Sequence, residues 1–142
     1  MGSLRVKVRF DYKGIRMGKL FFGGKSVEQV AEETREQKVA LLRNVPVQGI
    51  HIQDIDMSSD IYTVIDEFTG QPVGYAPVIV TLTADSLDEV VGFIMKEEFR
   101  KIEVLEPEQV ILNKSDTERL LFKTNEKLKE YRAYLERKME KG

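Results

Sequence analysis

Leu4, Val6, Val8 and Phe10 alternate with Arg5, Lys7, Arg9 and Asp11, at the period of two that separates the faces of a β-strand. The pattern predicts a strand with one apolar and one basic face. Tyr12-Lys13-Gly14 reads as a turn, with 15–22 returning as the second strand of a hairpin, bulged at Gly18 and ended by Gly23-Gly24. Ser26 with Gln29 three residues later is a capping-box pattern, which satisfies the orphan amides of a helix start. Behind it Val27, Val30, Ala31, Leu41, Leu42 and Val45 keep helical spacing, interrupted by Thr34 and Lys38, until Asn44 and Pro46 close the helix.

Short strands are expected over 48–57 and 61–68. The turn cluster Thr69-Gly70-Gln71-Pro72 then leads into a strand over 73–83, with Pro77 marking a strand start or an edge. Ser86 and Glu89 suggest a second capping box, ahead of a helix that presents Leu87, Val90, Val91, Ile94 and Met95 on one face, and 101–105 reads as the strand after it. Strand, helix and strand make a βαβ unit with parallel strands, so a mixed sheet is expected. Ser115 and Glu118 suggest a third capping box, opening a final helix of about 23 residues through Lys138.

The fold expected from these elements is α+β: a mixed β-sheet of about five to six strands, two packed helices, one βαβ unit and a long C-terminal helix. The chain reads as one domain over 1–142, with a sheet-and-helix body at 1–113 and the helix at 114–142. In that helix Leu121, Leu128 and Leu135 recur every seven residues with Tyr131 between them. Such a stripe docks in cis on the sheet or pairs with a second copy, because both need the same spacing. These four residues are the expected contacts of a homo-oligomer.

Composition narrows the chemistry. The 142 residues are 42% hydrophobic and 32% charged, as in a globular protein. No apolar run reaches the roughly 20 residues that span a bilayer, and no apolar signal core follows Met1, so a cytoplasmic protein without membrane contact is expected. The absence of cysteine excludes disulfides, thiolate metal sites and cysteine nucleophiles, and the single histidine, His51, excludes a two-histidine site within one chain. Many Lys, Arg and Glu beside few Asn leans toward heat-adapted composition. No cofactor is expected, and a non-enzymatic role is favoured.

Charge is unevenly placed. Residues 1–25 hold seven cations against Asp11 alone, so the remainder carries −8 to reach the net −2. Arg5, Lys7 and Arg9 on one strand face, with Lys13, Arg16 and Lys19 beyond, form a candidate nucleic-acid surface, since the strand sets them about 7 Å apart, near a phosphate repeat. Tyr12, Phe21 and Phe22 are candidate stacking residues. The alternative is that acidic residues of the first helix, Glu28, Glu32, Glu33 and Glu36, cover the basic face and cancel its field.

A divalent-metal site built from Asp54, Asp56, Asp66 and Glu67, with Asp60 and His51 nearby, is the only candidate catalytic cluster. Gly23-Gly24-Lys25-Ser26 lacks the phosphate-loop glycine five positions before Gly24, where Lys19 stands. The acidic run from Asp54 lacks both the turning glycine and the closing glutamate of a calcium loop, where Ser59 and Ile65 stand. Residues 77–137, through the βαβ unit, the run Val104-Leu105-Glu106-Pro107-Glu108 and the closing helix, resemble the C-terminal end of bacterial WYL-type transcriptional regulators. That family's Trp-Tyr-Leu signature is missing from this tryptophan-free chain, so no residue role is carried over.

Overall fold

In the computed structural model, which describes residues 2–15 and 24–141, the alternating N-terminal segment is the centre of the sheet. Strand β1 (Leu4–Gly14) is followed by α1 (Val27–Asn44), β2 (Ile50–Asp56), β3 (Tyr62–Ile65), β4 (Pro72–Ala84), α2 (Leu87–Ile94), β5 (Phe99–Glu106) and α3 (Lys114–Lys141). The fold is α+β, with a five-stranded sheet in the order β2-β4-β1-β5 and β3 pairing with β4 beyond the end of β2.

Every pairing is antiparallel, so the mixed sheet expected from the βαβ unit is corrected. Strands β4 and β5 do run parallel to each other, but β1 lies between them and pairs with both. The period-two pattern marks a strand without saying which gap it fills. Residues 15–22, expected to return as a hairpin strand, lie outside the described residues apart from Ile15, and both flanks of β1 over 5–10 are already occupied by β4 and β5.

The apolar side of β1 (Leu4, Val6, Val8, Phe10, Tyr12) and of β4 (Val78, Val80, Leu82, Ala84) forms the core with Val39 of α1 and Val90 and Phe93 of α2. The Ser26–Gln29 capping box is present, with Gln29 N–H donating to Ser26 Oγ and Ser26 N–H to Gln29 Oε1. Helix α1 buries Val27, Ala31, Arg35 and Val39, a stripe rotated from the expected one, and Leu41 and Val45 are exposed. At the start of α2 the expected box is absent: Ser86 is the N-cap but makes no side-chain cap bond.

Two features position α1. Gly14 and Gly74 are cross-strand partners, and a Cβ on Gly14 would stand 2.2 Å from the Ala31 amide nitrogen and one on Gly74 2.6 Å from the Val27 carbonyl oxygen. The first turns of the helix therefore rest directly on backbone. Arg35 then reaches the sheet, where Nη1 donates to the carbonyls of Pro77 (3.2 Å) and Ser59 (3.1 Å).

Those bonds explain Pro77, which lies in the middle of β4 and not at a strand start. On one side β2 pairs with 79–84 and β3 with 72–75, so residues 76–78 fall in the gap between them. A residue's N–H and C=O point to the same side of a strand, and the Pro77 carbonyl faces the gap to meet Arg35, so the missing N–H removes no ladder bond. Arg35→Met should cost about 3 kcal/mol in urea unfolding, from two charge-assisted bonds lost and two carbonyls left without them.

Candidate self-association surface

Helix α3 opens two residues before the expected box. Asn113 N–H donates to Asp116 Oδ2 and Asp116 N–H to Asn113 Oδ1 (3.1 and 2.8 Å), the reciprocal geometry expected of Ser115 and Glu118. The Asn113 amide, with Arg119 adding, holds the buried Asp116 carboxyl below the usual range. A carboxyl with a depressed folded pKa stabilises above its unfolded pKa and loses that contribution as pH falls through the folded one. Amides in the first turn of α3 should accordingly lose protection, relative to their intrinsic exchange rate at the same pH, in acid before the core amides do, as hydrogen exchange followed by NMR would show.

The helix runs 28 residues, about 42 Å at 1.5 Å per residue. Its main contact is α2, on the side that carries Arg119, Lys123 and Lys127. Arg119 bridges Asp116 and, at 3.8 Å, Asp88 of α2. The stems of Lys123 and Lys127 pass over Gly92, each with a carbon 3.6 Å from where a Cβ would stand, and Tyr131 Oη donates to Glu97 at 3.4 Å. The seat in cis is thus made of lysine methylenes and of Arg119 set against two buried carboxylates.

The leucine stripe lies on the adjoining face and is left out of that seat. Leu121 is 66% exposed and Leu128 59%, with Tyr131, Leu135 and Met139 also open to solvent. Leu128 and Tyr131 look toward Ile94 and Phe99 across an apolar groove of about 240 Å³. On the core side of β5, Val104, which pairs with Val6, is 47% exposed because no helix covers it. An apolar surface shared by α3 and β5 therefore stands open.

The basic strand face is on the opposite side of the sheet from α1, so the acidic residues of that helix do not cover it. Neighbouring strands supply its counter-charges. The register sets Asp54, Thr81, Lys7 and Glu103 in one row across four strands, and His51, Thr83, Arg5 and Glu106 in another. Arg5 donates to Gln53 Oε1 (2.9 Å) and lies 4.0 Å from Glu106. Arg9 is tied to Asp11, donating from Nε and Nη2 at 2.8 and 3.1 Å. Lys13 is exposed, and Arg16 and Lys19 lie outside the described residues, as do Phe21 and Phe22. Tyr12, a candidate stacking residue, is instead buried on the core face.

Asp11, the one acid of the basic segment, is 1% exposed on the otherwise open face. It accepts from Arg9 and from the Tyr62 hydroxyl, with Arg100 at 3.8 Å. Tyr62 stacks on Tyr75 and the Arg100 guanidinium lies over the Tyr75 ring, both at 5.3 Å. The cluster closes on itself and ties β1, β3, β4 and β5 together. Only the strand-pair register brings its members near one another, so sequence spacing carried no signal for it.

The acidic candidates are not brought together. Asp56 is opposite Ile79 and Ile65 opposite Pro72, which puts Asp66 and Glu67 about 20 Å or more from Asp54 and Asp56 along β4. Asp56 accepts from the Ser58 amide and hydroxyl, and Asp66 from the amides of Phe68 and Thr69, so each closes its own turn. Among the described residues no group of three or more His, Asp or Glu could hold a metal ion. His51 is an exposed strand residue 3.1 Å from Asp85.

Among the described residues no helix is long and apolar enough to cross a membrane. No protein-family model, curated protein or solved structure matches the chain, so the likeness of 77–137 to WYL-type regulators rests on element order and the run at 104–108 alone.

Proposed function

We propose that this protein is a non-enzymatic assembly module that self-associates through its C-terminal helix. The observation that supports the reading is the mismatch on α3: the helix spends a polar lysine strip on its own α2 and leaves Leu121, Leu128 and Leu135 unburied. A sevenfold leucine repeat on a helix this long is suited to packing against a second helix, and two copies related by a two-fold axis present the same surface to each other. The dimer is the smallest assembly that covers it. Static light scattering at tens of micromolar should give twice the 16.3 kDa chain mass. A mass of one chain under those conditions would remove the proposal.

A further inference from the structure

Strand β5 ends the sheet, and among the described residues nothing pairs with its outer edge. Edge strands are usually protected against pairing by charges that repel a second edge. The charges on this one do the reverse. Between the two register shifts that flank its central segment, the edge reads Lys101-Ile102-Glu103-Val104. Lys101 and Glu103 point to the open face, Ile102 and Val104 to the core face.

We infer that β5 pairs antiparallel with β5 of a second copy about a two-fold axis at Ile102, joining the two sheets into one. Opposite residues of an antiparallel pair share a face, so this register sets Ile102 against its own copy and Lys101 against Glu103 of the partner, twice. Both side chains are exposed. Among the described residues neither forms an ion pair; Glu103 lies across from Lys7, and Lys101 directly across from Arg9, a like-charge pairing that a facing carboxylate relieves. One residue further along, pairing on Glu103 would oppose two glutamates, so the charges select the register.

The inference rests on the assembly reading and adds a second element to the interface. The core side of β5 is where Val104 is half exposed, and the groove rimmed by Leu128 opens beside Phe99 at the start of the same strand. Joining two β5 edges brings both α3 helices over the seam, where their leucines and Val104 are covered together.

Charge reversal tests it. Lys101→Glu places two glutamate pairs across the seam and should weaken association roughly tenfold or more in sedimentation equilibrium, since both cross-seam pairs turn from attraction to repulsion. Lys101→Glu/Glu103→Lys rebuilds both pairs with the charges exchanged and should return the affinity to within about threefold of the unmodified chain. In the unmodified chain, β5 amides should also exchange more slowly at concentrations where the dimer forms than after dilution. A dimer that Leu128→Glu dissociates, while Lys101→Glu leaves its affinity unchanged and β5 exchange ignores concentration, would overturn edge pairing and leave the helix interface standing. A monomeric unmodified chain would overturn both.

Discussion

Leu121→Glu/Leu128→Glu is expected to convert the proposed dimer to a monomer at every concentration up to hundreds of micromolar, with the far-ultraviolet circular dichroism of the monomer unchanged. The magnitude follows from exposure. Full burial of a leucine contributes about 1.5–3 kcal/mol, so a side chain some 60% open, as both are, recovers roughly 1–1.5 kcal/mol on association. Four such side chains in a two-fold dimer come to about 4–6 kcal/mol, or three to four orders of magnitude in Kd. The fold should be indifferent, since neither residue belongs to the buried core and α3 meets α2 through its neighbouring strip. Sedimentation velocity separates the outcomes: a variant that remains dimeric would place the interface elsewhere, and a variant that unfolds would show that the leucines are needed in cis.

The second large effect is on the fold. Gly14→Ala and Gly74→Ala should each destabilise by on the order of 3 kcal/mol or more, near the upper range for overpacking, because the added methyl meets helix backbone and not a side chain that can turn aside. At Gly14 the obstructing atoms are the Ala31 amide nitrogen at 2.2 Å and the Val27 carbonyl oxygen at 2.5 Å, and at Gly74 the same carbonyl at 2.6 Å. To fit either alanine, α1 must lift from the sheet, which draws Val39 away from the core it shares with β1 and β4. Urea unfolding should show the loss as a lower midpoint with an unchanged slope. Gly70→Ala is the informative control, since nothing lies within 4 Å of its added carbon and only its φ of 70° opposes the change. It should cost about 1 kcal/mol.

Elements were legible in the sequence wherever one local rule decided them. The alternation at Leu4 to Phe10 located β1, Ser26 with Gln29 located the start of α1, and the Thr69 to Pro72 cluster located the β3–β4 turn. Strand order was not legible, because a period of two is the same for a central and an edge strand, and the antiparallel sheet follows from β1 entering between two strands that are remote in sequence. Arg35 lies off the apolar stripe that the spacing picks out, yet it is buried because two carbonyls in the β2–β3 gap accept its bonds. Asp11 stood out only as the lone acid of a basic segment, and it is the centre of a polar cluster assembled by register. Two expected capping boxes failed for a simpler reason: serine followed by glutamate three residues on is common, and at α3 the chain uses Asn113 with Asp116 instead.

The leucine stripe itself was plain at sevenfold spacing, and what the sequence left open was its partner. A helix can satisfy such a stripe against its own sheet or against another chain, and no local rule separates the two. The proposal of a second chain is supported by Lys123 and Lys127, and not the leucines, lying over Gly92 of α2.

A nitroxide carried on a single cysteine replacing Asn125 reads the α3 contact most directly, since the chain has no other cysteine and Asn125 is exposed beside the stripe. If α3 meets α3 of a second copy, the label should show intermolecular dipolar coupling at tens of micromolar that fades when unlabelled chain is added in excess. Labels that show no coupling in a sample at that concentration would contradict self-association through this helix.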